Sequence, residues 1–285
     1  MHPYLLRHGG LVISSYPFLY GLGVAVAGLV IVLLLKSRGC SVRRSANLFM
    51  VAAIAVVLGG QILYGVVRWS SVRTGISEFL SLSSGGQILY GSVLLTVPAL
   101  WLFARLLRMQ PGSVFDAAAV GAPLGLVFGR IGCLCGGCCH GAITDLPWAV
   151  TYPKVINLEG DMIGAPAFML HLREGLIPVT AGQSLPVHPV QVYEAIAMLV
   201  VFLAIFQLWK TRRFMGRLAP TFILAYCLVR FVLEFVRVQE HVLWGLTLAQ
   251  LLSIGIGVMM VIWLVLSRKT IVEGRRNEVV SGCTP

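Results

Sequence analysis

The chain has 285 residues, 58% of them hydrophobic and only 12% charged, and its mean hydropathy is +0.88. That balance excludes a soluble globular domain and a disordered chain, and describes a protein that crosses a bilayer several times. The formal net charge of +11 lies mostly in short connections between apolar runs, where it reads as anchoring to an anionic leaflet, so no nucleic-acid partner is expected.

Seven apolar stretches approach the ~20 residues that a helix needs to cross about 30 Å of hydrocarbon. They are Tyr16–Leu35, Ala46–Val67, Gly85–Phe103, Val114–Leu134, Pro189–Leu208, Leu218–Phe235 and Leu246–Leu266. The expected fold is therefore an all-α polytopic membrane protein, a single transmembrane domain over residues 1–285. Met1–Gly10 is followed by a full-length span without a small-residue cleavage site, so no cleavable signal peptide is expected. Of the 22 Lys and Arg residues, 14 fall in the connections 36–44, 105–108, 210–217 and the tail after 268, six in the opposite set, and two (Arg130 and Arg230) inside spans. The positive-inside rule then puts the N-terminus outside and the C-terminus in the cytoplasm, which an odd number of spans also requires. No internal repeat at a fixed period is evident, which weighs against an inverted-repeat transporter.

The connection Cys135–His188 is unlike the others. It carries Asp145, Glu159, Asp161 and Glu174 against Lys154 and Arg173, is punctuated by Pro and Gly, and contains Trp148–Tyr152 with the pattern of a short strand. Loops of this length in compact proteins are functional or disordered. Its aromatic and apolar content predicts a small folded head over residues 135–188 on the extracytoplasmic side.

Polar groups enter the spans at three places. At the end of the fourth, Gly129-Arg130-Ile131-Gly132-Cys133-Leu134-Cys135-Gly136-Gly137-Cys138-Cys139-His140-Gly141 sets a permanent charge before a Gly- and Cys-rich turn. A buried arginine costs roughly 2.5–3.5 kcal/mol on insertion scales and implies an anionic partner, of which a lipid phosphate is the most abundant in a bilayer. The four clustered cysteines lack the distant second pair typical of a structural metal site. They read as small residues allowing close backbone approach, so neither a metal nor another cofactor is expected. A Cys135/Cys138 redox pair remains open, and would make the chain a membrane thiol oxidoreductase. The fifth span opens with His188-Pro189-Val190-Gln191-Val192-Tyr193-Glu194, where Gln191 and Glu194 share a helix face. In the sixth, Tyr226, Arg230, Glu234 and Arg237 form one polar stripe. One Arg–Glu pair alone could be structural, but three polar invasions at the outward ends of their helices favour a site.

These motifs, in this order and spacing, resemble the bacterial prolipoprotein diacylglyceryl transferase family over nearly the whole chain. The Gly129–Gly141 segment is similar to its signature, His188–Glu194 to its H-P-x-Q-x-Y-E motif, and Arg230–Arg237 to its R-F-x-x-E-x-x-R motif. Gly245–Gln250 is similar to the opening of its last span, and Ser15-Tyr16 to the start of its first. The resemblance implies seven spans with the N-terminus out, in the bacterial cytoplasmic (inner) membrane, with the active site toward the outer leaflet. It implies transfer of the diacylglyceryl group of phosphatidylglycerol to the lipobox cysteine of a preprolipoprotein, with loss of glycerol 1-phosphate. Phosphatidylglycerol, the lipobox segment and the bilayer are the implied partners. Arg130, Arg230, Glu234, His188 and His140 are then candidate catalytic residues. Tyr16, Ser84, Gly85, Gly86, Cys133, Gly141, Gln191, Glu194, Tyr226 and Arg237 join Arg130 as candidate substrate-binding residues.

The chain departs from the family's pattern where Ser84 replaces a frequent histidine, Gln61 a frequent arginine, and Cys133 and Cys138 an asparagine and a glutamate. A diverged paralogue acting on another lipid therefore stays open, as does the base: His140, His188 or an unassisted thiolate. A thiol needs help amounting to about 1.5 pKa units, or ~2 kcal/mol, to ionise at neutral pH, and an arginine pair can supply much of it. We therefore expect Ser84→His to change transfer by no more than about tenfold, or ~1.4 kcal/mol, with the pH profile governed by the substrate thiol. The measurement is transfer rate against pH for wild type, Ser84→His, His140→Ala and His188→Ala. Abolished transfer in either alanine variant, with loss of a limb near about pH 6–7, would make that histidine the base.

Overall fold

The computed structural model describes residues 4–8, 11–67, 89–155, 165–211, 216–238 and 241–274. Its helices are α1 (Ser15–Lys36), α2 (Val42–Val67), α3 (Leu89–Leu106), α4 (Pro111–Gly136), α5 (Pro166–Arg173), α6 (Val190–Thr211), α7 (Leu218–Leu233) and α8 (Leu248–Gly274). Two antiparallel hairpins supplement them: β1 (Tyr4–His8) with β2 (Leu11–Ser14) before α1, and β3 (His241–Leu243) with β4 (Leu246–Thr247) before α8.

Six of these helical segments are long and apolar enough to cross a membrane: Ser15–Lys36, Val42–Val67, Pro111–Gly136, Val190–Thr211, Leu218–Val236 and Leu248–Ser267. They match six of the seven expected stretches. The third is an apolar helix too, but its stretch Gly91–Leu106 is shorter, and residues 85–88 of the expected span lie outside the described residues. The chain is thus a polytopic, helical membrane protein.

The described chain divides into two compact units, Met1–Ala27 with Ala119–Arg276, and one built chiefly of Gly28–Ala118. In the second unit α2 and α3 pack closely because Gly59 and Gly91 face each other, each with its missing Cβ against the other's carbonyl oxygen. Ser92 Oγ adds a 2.7 Å hydrogen bond to the Val56 carbonyl. Small residues and an interhelical hydroxyl are how helices associate where lipid competes for every apolar contact. Within the first unit, Gly23 of α1 meets the Gly125 carbonyl and Phe128 of α4 in the same manner, and α7 packs on both α6 and α8.

The head lies in the first unit. Tyr152, Ala165, Ala167 and Val187 form its core, with Val150 against them. The expected strand Trp148–Tyr152 is instead irregular backbone with isolated bridges, Val150 to Val187 and Pro153 to Gln183. The turns that flank it, and the bond from Tyr152 N to Ser184 Oγ, leave no room for a longer ladder. Residues 156–164 of the head are outside the described residues.

Because Gly59 and Gly91 have no space for a side chain, Gly59→Leu is expected to lower stability by about 1–3 kcal/mol, the usual range for overpacking. The check is thermal denaturation in detergent. An unchanged midpoint would show that α2 and α3 separate at no cost.

Candidate active site

Three chain segments bring the polar groups together, and each arrives by an identifiable local device. The first is the C-terminus of α4. The helix stops at Gly136, Gly137 takes a left-handed conformation at φ 73°, and Cys138 N reaches back to the Cys133 carbonyl at 3.2 Å. This is the six-to-one bond of a glycine-terminated helix. A Cβ on Gly137 would also strike Ala165 and Tyr152. Cys139 follows at φ 59°, uncommon for a residue with a side chain.

The second segment is the N-terminus of α6. Pro189 has its carbonyl free to accept the first helical bonds, from Val192 N and Tyr193 N, and needs no amide donor there. One turn in, Gln191 and Glu194 are both essentially inaccessible. Gln191 Nε2 donates to the Cys138 carbonyl at 2.6 Å and to the Tyr152 hydroxyl at 2.9 Å, tying turn, head and helix. Burial pushes the Tyr152 hydroxyl up to about 12, against the opposing pull of the Gln191 bond.

The third is the end of α7. The helix stops at Leu233 and Glu234–Val236 tighten into a 3-10 turn, so the expected stripe is not one continuous α-helix. The tighter winding still leaves Glu234 between two arginines.

The charges pair as their burial demands. Arg130 Nη2 meets Glu194 Oε1 at 2.7 Å, with the side chains 16% and 1% exposed. Glu234 Oε2 lies 3.1 Å from Arg230 Nη2 and 3.8 Å from Arg237 Nε, while its Oε1 accepts from Thr247 Oγ1 at 3.1 Å. Gln250 holds Thr247, accepting from its amide at 3.0 Å. Three arginines against two buried carboxylates leave an excess of positive charge. Among the described residues, Arg230 Nη1, Glu194 Oε2 and Gln191 Oε1 are buried without a hydrogen-bond partner. Such groups are costly unless a ligand or water meets them: the guanidinium nitrogen of Arg230 has room for an acceptor, and the Glu194 and Gln191 oxygens for donors.

Gly141 lies against this cluster. It bridges to Arg237 and donates to the His188 carbonyl at 3.0 Å. A Cβ there would collide with the Val236 oxygen, His188 and Val190. Tyr16 abuts Gly132 and stacks on Tyr20. Of the two candidate bases, His140 sets Nδ1 3.0 Å from its neighbour's carbonyl, with its ring beside Tyr152 and His171. His188 Nδ1 lies 3.4 Å from the Tyr193 hydroxyl, which also accepts from Trp148. Ser84, Gly85 and Gly86 lie outside the described residues.

The clustered cysteines, read from the sequence as small residues for close backbone approach, bring one ligand atom each of Cys133, Cys138 and Cys139 within 4.8 Å of the others. The left-handed pair of turn residues folds the chain back onto Cys133. Tyr152, Thr247 and Gln250 were not among the expected site residues. The aromatic run in the polar head and the polar opening of the last span were their only signals.

A model of the prolipoprotein diacylglyceryl transferase family matches residues 3–266. The chain belongs to that family. Similar proteins named phosphatidylglycerol–prolipoprotein diacylglyceryl transferase include one from Psychrobacter arcticus, 30% identical over 88% of both chains. Another, from Nitratidesulfovibrio vulgaris, is 32% identical over 78% of this chain and 76% of its own. A third, from Burkholderia thailandensis, is 29% identical over 92% of this chain and 94% of its own.

Removing one partner of a buried ion pair strands the other's charge, at about 3–5 kcal/mol. Glu194→Leu is therefore expected to destabilise the protein more than the double variant Arg130→Met, Glu194→Leu, measured by denaturation in detergent. Equal losses in both variants would mean that Arg130 finds compensation elsewhere.

Proposed function

We propose that this chain transfers the diacylglyceryl group of phosphatidylglycerol to the thiol of a lipobox cysteine, releasing glycerol 1-phosphate. The observation that carries it is the arginine-rich cluster around Glu194 and Glu234, embedded in apolar helices of a chain belonging to this family. In the reaction the cysteine sulfur forms a bond to the glyceryl carbon. The bond from that carbon to the phosphate oxygen breaks, and its electron pair leaves on the phosphate. The thiol proton goes to solvent.

Arg130 and Arg230 hold the headgroup phosphate and stabilise the charge that grows on it, through charge-assisted hydrogen bonds in a water-poor setting. Glu234 positions Arg230 and Arg237, and Glu194 positions Arg130. Tyr16 and Tyr226 supply hydroxyls to the headgroup, while Gly141 keeps the floor of the site free of side chains. Gln191, by fixing Tyr152 and the Cys138 carbonyl, holds the head over the site. An apolar cleft of about 370 Å³ between α7 and α8, lined by Leu224, Leu228, Phe231, Ile254 and Val258, begins one residue from Arg230 in sequence. It gives an acyl chain a lateral way in from the bilayer.

The proposal includes seven spans, with α3 as the third, an external N-terminus and a cytoplasmic C-terminus in the inner membrane, as the distribution of Lys and Arg favours. It also places the head and active site at the outer leaflet. The oxidoreductase alternative has less support, because the sulfurs that converge are those of Cys133, Cys138 and Cys139, not a Cys135–Cys138 pair.

Complementation of a bacterium depleted of its own transferase, with mass measurement of a reporter lipoprotein, tests the reading. A gain equal to one diacylglyceryl group is expected. Arg130→Lys and Arg230→Lys should each reduce transfer at least about tenfold despite retaining the charge, since the planar fork is lost. Near-normal transfer by both variants would remove the phosphate clamp from the proposal.

A further inference from the structure

The thiol cluster is the one group of metal-binding side chains found among the described residues, and the pairing of charges above leaves it unused. Cys133 is buried, and Cys138 and Cys139 are half-buried, so the cluster is approachable from one side. Zinc bound by thiolates at about 2.3 Å needs sulfurs about 3.8 Å apart, which the 4.8 Å limit of the cluster admits with small side-chain rotations. The scaffold is set beforehand: Cys138 N holds the Cys133 carbonyl and Gln191 holds the Cys138 carbonyl. Fixing the ligand-bearing backbone in this way is how surrounding bonds tune metal sites. The left-handed Cys139 fits too, since a non-glycine residue in that region persists where a site needs it.

The set is three, not four. His140, next in sequence, turns its ring to Tyr152 and His171 and sets Nδ1 against the Gly141 carbonyl. Structural zinc sites close with four protein ligands, while catalytic ones use three and leave the fourth position to water or substrate. Three thiolates around a divalent zinc carry one net negative charge. Arg130, one turn before Cys133 on α4, and Arg237, bridged to Gly141 two residues past Cys139, are the cations positioned to offset it.

We infer that Cys133, Cys138 and Cys139 form a three-thiolate zinc site whose fourth position takes the thiol of the acceptor cysteine. The zinc site stands on the geometry alone, whereas the identity of the fourth ligand rests on the transfer reading. Coordination deprotonates a thiol outright, so the acceptor enters as zinc-bound thiolate and its proton leaves to solvent. The sulfur then forms its bond to the glyceryl carbon as that carbon's bond to the phosphate oxygen breaks, with no change of oxidation state. A thiolate at this point stands one helical turn from Arg130, one of the two arginines assigned to the phosphate, and nucleophile and leaving group must meet near it. The metal then supplies the deprotonation that a histidine base would otherwise provide.

The test uses the full chain purified in detergent from cells grown with zinc. Elemental analysis should find about one zinc per chain. Cys133→Ser, Cys138→Ser and Cys139→Ser should each lower it at least tenfold, and Cys135→Ser should leave it unchanged. Should the serine variants fail to fold, cobalt substituted into the wild-type chain decides the matter through its thiolate charge-transfer absorption. That absorption should change when a lipobox peptide is added, and not with the same peptide carrying serine for cysteine. Wild type without zinc, zinc retained in all three serine variants, or a disulfide among the three cysteines would overturn the site. A cobalt spectrum indifferent to the cysteine peptide would overturn the fourth ligand. Transfer assays separate the two readings: full transfer by chelated protein removes zinc from the reaction and leaves the transferase standing. Zinc-loaded protein that transfers nothing refutes the transferase reading and leaves the metal site.

Discussion

Pairing of charge in a medium that cannot solvate it is the constraint on which the site depends. Arg130 cannot sit near the end of α4 unless Glu194 of α6 meets it, and at 2.7 Å it does. Glu234 likewise cannot be 1% exposed without Arg230, Arg237 and Thr247 around it. Each pair fixes the rotation of a helix whose apolar surface would otherwise be nearly indifferent to rotation, since lipid competes with any apolar neighbour. Such pairs add little net stability, because desolvation consumes most of the Coulomb attraction. What they supply is a defined arrangement, three guanidinium groups held around two carboxylates.

Much of this was legible in the sequence because membranes impose coarse, periodic rules. Apolar length gave the helices, and six of the seven expected spans have helices long enough to cross. Spacing gave the shared face of Gln191 and Glu194 and the contact of Arg230 with Glu234. The third expected span is met by an apolar helix over its described part, from Leu89, and its first residues, 85–88, lie outside the described residues. The convergence of the cysteines was hidden. Ligand spacing is a rule of thumb for chains that run between separate elements. Here two left-handed positions either side of Cys138, Gly137 and Cys139, reverse the chain. No periodicity reports a backbone angle.

The partners of the site residues were the least visible. Tyr152 lies 39 residues from Gln191, in an irregular head whose short bridges carry no strand signature. Its position is decided by burial in a small cluster with Ala165, Ala167 and Val187, a tertiary effect. Thr247 could have been suspected from a polar group opening an apolar helix, yet its bond to Glu234 depends on the β3–β4 hairpin setting the start of α8. The charged residues themselves were readable from charge, while the uncharged Thr247 and Tyr152 that brace the site were not.

The head and the spans are joined where the chemistry would occur, and through backbone as much as side chain. Gly141 leaves the cysteine turn and is clamped at once, donating to His188 at the start of α6 and bridging to Arg237 at the end of α7. Ala142 N then takes the Val236 carbonyl and returns its own carbonyl to His188 N. A few residues of extended chain thereby satisfy amides and carbonyls that the helix ends leave open, as buried backbone requires. The same clamp sets the separation of α6 from α7, and so of Glu194 from Glu234. A side chain at position 141 would push these helices apart and loosen both ion-paired groups together. The glycine thus acts on the charge cluster without touching a charge, through a backbone contact with no space for a side chain.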